Sequence, residues 1–241
     1  MKREPRQYIV FPLDLPDYEQ AMVYVDKLSS HVGLFKVGLE LFISHGPSVV
    51  RGIKDAGPAE VFLDLKLHDI PATMGRAFLA ASRHGVKFVT VHCDAGERGL
   101  KEVSRVCGEQ TKVLAVTVLT SMDTQALLDA GYDPYYANDI SDLVLLRARM
   151  AKRAGCHGIV CSGREIKALR EALGPDLIMV TPGIRPSWSV VGNDDQKRIV
   201  TPAEAVRAGA DYIVIGRPIR DAKEPADAAK RVAEEIASAF S

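Results

Sequence analysis

Eight apolar runs of strand length, each followed by a stretch with helical spacing or a helix start signal, predict a (β/α)8 barrel, one TIM-type domain over residues 1–241. The period averages near thirty residues and no linker interrupts it. A barrel commonly fills this length as one domain, so dividing by a typical domain size into two would mislead. Most runs are rich in Val and Ile and lack polar alternation, as parallel strands buried on both faces should. The alternative is an open doubly wound sheet. It needs a glycine-rich dinucleotide turn after its first strand, and Asp14-Leu15-Pro16-Asp17 is not one.

Taken in order, the runs are 8–13, 34–39, 61–67, 88–92, 113–119, 158–161, 177–180 and 212–215. Gly85 closes the helix before the fourth. The longest gap, 121–157, has room for two helical pieces, 124–130 and 139–153, which Gly131 and Gly155 would end. After the sixth run, Ser162-Gly163-Arg164-Glu165 has capping-box spacing, and Gly174 closes that helix. Thr201-Pro202-Ala203-Glu204 is the clearest start signal: Thr at the N-cap, Pro at the first helical position, Glu at the third. Gly209 ends it. The polar stretch 186–196, with Trp188 inside it, reads either as a lid or as a surface insertion.

Lys plus Arg and Asp plus Glu both total 31, so no net charge steers the chain towards nucleic acid or an anionic membrane. No stretch reaches the roughly 20 apolar residues that span a bilayer, and residues 1–7 lack the apolar core of a signal peptide. The expectation is a cytoplasmic protein. Cys93, Cys107, Cys156 and Cys161 form no C-x-x-C pair and no ligand set with His, so zinc and a disulfide framework are both poorly supported. They read as small core residues in a reducing compartment.

The informative residues are charges at strand ends, where barrel chemistry collects: Asp14 after strand 1, Lys36 on strand 2, Asp64 and Lys66 on strand 3, Asp69 just beyond it. Asp64 and Lys66 are two apart and so share a face, while Leu63, Leu65 and Leu67 take the other. An ion pair plugging the barrel is the bland reading. Buried charges seldom recover their desolvation cost, which favours function for the cluster as a whole. His92 ends strand 4, where a structural hydrogen bond is as good an account as acid-base work. Strands 7 and 8 run into Thr181-Pro182-Gly183-Ile184-Arg185 and Gly216-Arg217-Pro218-Ile219. Glycine turns with arginines after these two strands are the usual phosphate cradle of such a barrel.

The run Asp64-Leu65-Lys66-Leu67-His68-Asp69-Ile70-Pro71 is preceded by Lys36-Val37-Gly38. After it come Val118-Leu119-Thr120-Ser121 and the two phosphate loops, an order over essentially the whole chain that resembles the orotidine 5′-phosphate decarboxylase family. The resemblance implies conversion of orotidine 5′-monophosphate to UMP and carbon dioxide without metal or cofactor, by a homodimer with shared sites. It implies that Lys36, Asp64, Lys66 and a partner subunit's Asp69 form an alternating array in which Lys66 protonates C6. Asp14, Lys36 and a partner subunit's Thr73 would hold the ribose, Thr120 the pyrimidine, and Gln196 the base and phosphate. Arg185, Gly216 and Arg217 would grip the phosphate. Two departures from the family pattern are Pro12, which removes a donor from strand 1, and Ala72, where Asn is common. The rivals are a metal-dependent sugar-phosphate decarboxylase or aldolase of the same barrel group, which Lys36 opposes by competing with a metal, and a non-catalytic phosphate-ligand barrel.

Overall fold

The computed structural model describes residues 3–189 and 200–240. Its elements are, in order, β1 (Ile9–Pro12), α1 (Tyr18–Leu28), β2 (Leu34–Val37), α2 (Leu39–His45), α3 (Ser48–Ala56), β3 (Glu60–Leu67), α4 (Pro71–Ser82), β4 (Phe88–His92), α5 (Gly96–Val106) and β5 (Lys112–Val116). There follow α6 (Thr124–Asp129), α7 (Pro134–Asn138), α8 (Ile140–Arg153), β6 (Gly158–Val160), α9 (Ile166–Leu173), β7 (Ile178–Thr181), α10 (Pro202–Ala208), β8 (Tyr212–Val214), α11 (Arg217–Arg220) and α12 (Pro225–Ala237). Every strand pairs in parallel with its chain neighbours, and β8 returns to β1, so the sheet closes in the order β1 to β8. This is the expected (β/α)8 barrel. No described helix is long and apolar enough to cross a membrane.

The Val and Ile runs are explained by burial on both faces. Val10, Leu34, Phe62, Phe88, Leu114, Val180 and Tyr212 fill the barrel, while their neighbours Ile9, Phe11, Phe35, Val61, Leu63, Val89 and Val113 pack on the helices. Edge-to-face rings stack the floor: Phe62 on Phe88 at 5.9 Å and Phe88 on Tyr212 at 5.1 Å. Arg3 closes the bottom, its guanidinium 3.9 Å from the centre of the Tyr212 ring. With the lower barrel filled in this way, open space is left at the C-terminal ends of the strands.

Gly158 shows how tightly the wall is packed. A Cβ there would lie 2.4 Å from the Ile178 carbonyl oxygen and 2.8 Å from Leu114 Cδ2. Neither backbone nor core can yield cheaply, so Gly158→Ala is expected to lower unfolding free energy by about 1–3 kcal/mol. A reduced denaturant midpoint at unchanged slope is the measurement; an unchanged midpoint would contradict the packing.

The structure moves several sequence-derived boundaries. Strand 2 stops at Val37 because Gly38 leaves the ladder as the N-cap of α2, so Leu39 is helical. Strand 5 ends at Val116, leaving Val118 and Leu119 on the loop. The long gap holds three helices among the described residues. The extra one, α7, has Asp133 capping and Pro134 at its first position, but five residues are too few to show a period. Ser162 does not cap a helix. Glu165 N–H bonds the Ser162 carbonyl in a turn, the Glu165 carboxylate accepts from Ser162 N–H at 2.8 Å, and α9 starts one residue later. The box at Thr201 and Glu204 is complete. The glycine stops hold, with Gly174 at φ 78° and Gly209 at φ 108°. Pro12 leaves strand 1 intact: it stays in register with Lys36, Leu13 N–H donates to Lys36 O at 2.9 Å, and the register with β8 has already ended at Val10 and Val214.

Candidate active site

The chemistry is organised by an irregularity in β3. Its register with β4 runs Phe62 to Phe88 and Leu63 to Val89, then slips so that Leu67 meets Val91. The slipped stretch carries Asp64 and Lys66. Lys66 has φ 48°, the one non-glycine residue at positive φ among the described residues. A left-handed lysine costs roughly 1–2 kcal/mol, and such strain persists only where surroundings enforce it. Thr90 is the enforcing group. Its hydroxyl accepts from Lys66 N–H at 2.8 Å and donates to Asp64 Oδ1 at 3.0 Å, replacing the interrupted ladder. Asp64 and Lys66 therefore meet as expected, but through a bulge pinned by Thr90 and not through plain strand alternation.

From that bulge an alternating chain of charges extends across β3, β2 and β1. Lys66 Nζ lies 2.9 Å and Lys36 Nζ 3.5 Å from Asp64 Oδ2, and Lys36 Nζ is 3.1 Å from Asp14 Oδ1. Burial alone would raise the Asp64 pKa. The charges of Lys36 and Lys66, with hydrogen bonds from Lys66 and Thr90, outweigh it and hold the carboxyl below its ordinary range. Asp64 is thus a fixed anion between two cations. Thr90→Val removes the hydroxyl at nearly constant volume and leaves Lys66 N–H and Asp64 Oδ1 unmatched, so we expect about 1–3 kcal/mol of lost stability. Turnover should fall at least about tenfold, because a small misplacement of reacting groups is costly. Kinetics together with thermal melts check both parts.

The array lines one wall of a cavity of about 310 Å³. Phe62, Val116, Val160, Val180 and Val214 give it an apolar base; Thr120, Cys161, Pro182 and Gly183 lie along its sides; Arg185, Gly216 and Arg217 lie at the end formed by β7 and β8. Arg185 is 6% exposed, and its N–H donates to Val200 O at 3.0 Å. Gly216 is required by contact: a Cβ would sit 2.9 Å from Pro12 Cγ. The proline that departs from the family pattern thus packs against the glycine that follows β8.

Asp14, Lys36, Asp64, Lys66, Thr120, Arg185, Gly216 and Arg217 come together in this way. Asp69 and Thr73 do not line the cavity. Asp69 is exposed beyond β3 with Oδ1 accepting from Ile70 N–H at 2.6 Å, and Thr73 lies in the first turn of α4. Gln196, and with it the main part of the expected lid, lies outside the described residues. At the start of that stretch Ser187–Ser189 forms a short 3₁₀ turn, with the Trp188 ring 4.1 Å from the Arg231 guanidinium.

Sequence reasoning missed Thr90 and a polar cluster beside the mouth. Buried Arg147 donates to Thr117 O at 2.6 Å, to Tyr132 Oη at 2.7 Å and to Asp94. Asp94 Oδ2 is 3.2 Å from His92 Nδ1. Burial works against the Asp94 charge, but His92, Arg147 and Tyr132 bring its pKa down to about 2. His92 stacks on His68 at 5.8 Å and is not a cavity-lining residue, so its observed contacts are those of loop structure. Burial pushes the Cys93 thiol up to about 12, and that of Cys161 higher, which leaves both unreactive as thiolates.

Residues 7–232 match the family described as "Orotidine 5'-phosphate decarboxylase / HUMPS family". The chain is 48% identical over 239 residues to the orotidine 5'-phosphate decarboxylase of Desulfosudis oleivorans, covering 99% of this chain and 96% of that protein. It is 45% identical to that of Trichlorobacter lovleyi, covering 97% and 96% respectively. The crystal structure of orotidine 5'-phosphate decarboxylase from Lactobacillus acidophilus superposes with a TM-score of 0.82 at 35% identity, covering 96% of this chain and 99% of that one. A closed barrel, a charge array at its mouth, an arginine-bearing end opposite and a match along nearly every residue lead to one assignment: the chain belongs to the orotidine 5'-phosphate decarboxylase / HUMPS family.

Proposed function

We infer that this barrel decarboxylates orotidine 5′-monophosphate to UMP and carbon dioxide, a step of pyrimidine biosynthesis. The observation that carries it is the Asp14, Lys36, Asp64, Lys66 chain facing the Arg185 and Arg217 end across one cavity. Departure of carbon dioxide from C6 leaves an electron pair with no good sink, so a fixed cation must stand where that charge develops. Lys66 is that cation. Its ammonium stabilises the carbanion and then delivers a proton to C6. Asp64 holds Lys66 in place and lies close to the leaving carboxylate, where repulsion of the ground state is a secondary contribution.

Asp14 and Lys36 hold the ribose hydroxyls and Thr120 the pyrimidine, while Arg185, Gly216, Arg217 and Gln196 take the phosphate end. Phosphate binding far from C6 then serves the reaction by positioning the base. The active form is a homodimer in which the partner subunit's Asp69 and the partner subunit's Thr73 complete each site, and its place is the cytosol. Ile70 stands exposed at 66% beside exposed Asp69, and Leu39 at 48% and Ile43 at 77% are exposed after the adjacent strand, apolar side chains suited to meeting a second copy.

Asp64 supports the metal-free reading over the sugar-phosphate rival. Oδ1 is taken by Thr90 and Oδ2 by two ammonium groups, which together compete with a divalent ion for both oxygens of Asp64. The test is loss of orotidine 5′-monophosphate absorbance in EDTA. Undiminished turnover is expected; turnover that appears only with added magnesium would transfer the assignment to the rival, and UMP binding without turnover would make this a binding protein.

A further inference from the structure

Arg220 lines the same cavity as Arg185 and Arg217 and has no part in the chemistry above. Arg217 and Arg220 are three residues apart on α11, a spacing that puts their side chains on one side of the turn. The backbone under Arg220 is fixed: its carbonyl accepts from Tyr24 Oη at 3.1 Å and its N–H donates to Gly216 O at 2.9 Å. Only the side chain is left to move. The guanidinium is forked on its sequence neighbour, with Nε 2.7 Å from Asp221 Oδ1 and a terminal nitrogen 3.2 Å from Oδ2.

That fork is a weak restraint. Arg220 and Asp221 side chains are 32% and 57% exposed, and such surface pairs are worth only about 0–1 kcal/mol. Asp221 itself is not a cavity-lining residue. The Arg220 pKa is raised first by the hydrogen bond to Asp221, and the Asp14 charge contributes as well. Arg220 therefore feels the Asp14 carboxylate in the cavity that it shares with Arg185 and Arg217. A phosphate monoester offers three oxygens and nearly two charges where Asp221 offers two oxygens and one, which suits a planar guanidinium fork better.

We propose that Arg220 is a further substrate-binding residue, which gives up Asp221 for the 5′-phosphate of the nucleotide, so that Asp221 competes with the ligand. The inference rests on the nucleotide reading above and deepens it. Arg220 strengthens capture of phosphorylated ligands, and Asp221 weakens it.

The experiment is calorimetric binding of UMP and of uridine to the wild type, Arg220→Gln, Arg220→Lys, Asp221→Asn and the Arg220→Gln/Asp221→Asn double variant, with turnover of orotidine 5′-monophosphate measured alongside. Arg220→Gln should weaken UMP about tenfold and uridine less than about twofold, with Arg220→Lys between. Asp221→Asn should tighten UMP by up to about fivefold, and that gain should vanish in the double variant. Equal effects of Arg220→Gln on UMP and uridine, or an Asp221→Asn protein that binds UMP no tighter, would overturn the proposal. If the wild type turns over its substrate and binds UMP while Arg220 is without effect, this inference alone fails. If the wild type does neither, the functional reading falls and takes this inference with it.

Discussion

Lys66→Ala is expected to remove at least about 10³ of kcat, since loss of one preorganised neutral donor already costs about 10²–10³ and the role proposed for Lys66 is to supply both a full charge and the proton. UMP affinity should change far less, because the product carries no charge at C6 for Lys66 to meet. The variant should also fold. Alanine tolerates φ 48° about as poorly as lysine does, so the backbone strain is unchanged, and Asp64 keeps Lys36 at 3.5 Å and Thr90 at 3.0 Å as partners. The measurements are substrate absorbance for kcat and calorimetry for UMP. A variant within about tenfold of wild type, only about 1.4 kcal/mol, would remove Lys66 from the mechanism.

How Lys66 reaches its place also marks the limit of what the sequence discloses. Period and composition are local, so the eight strands were legible, and so were the charges at their ends. Strand alternation put Asp64 and Lys66 on one face for an incomplete reason. The bulge that aims them depends on a hydroxyl 24 residues away from Lys66, and Thr90 in Phe88-Val89-Thr90-Val91-His92 looks like any strand threonine. Arg147 was equally hidden. It sits inside a helix whose period is satisfied without it, and its partners Thr117, Asp94 and Tyr132 are up to 53 residues distant. The α7 turn went unseen because five residues carry no period, although Asp133-Pro134 is a start signal. Long-range polar contacts leave no pattern in the chain, and these are the contacts that shape the mouth.

Mixing inactive Asp69→Ala with inactive Lys66→Ala protein is expected to restore activity. Asp69 follows β3 by two residues, is exposed, and does not line the cavity of its own chain. In the proposed Lys-Asp-Lys-Asp array, a carboxylate so placed would serve the site of a neighbouring chain. In a hybrid dimer one site draws both Lys66 and Asp69 from wild-type positions, while the other lacks both. Random exchange makes about half of the dimers hybrid, each with one of its two sites intact, so about a quarter of wild-type activity is the ceiling. Each parent should remain at least about 10²-fold below wild type. Subunit exchange must be shown independently, for instance by mass-tagged protomers. A mixture that exchanges yet stays inactive would show that Asp69 does not act across the interface and would confine the catalytic array to Lys36, Asp64 and Lys66 of one chain.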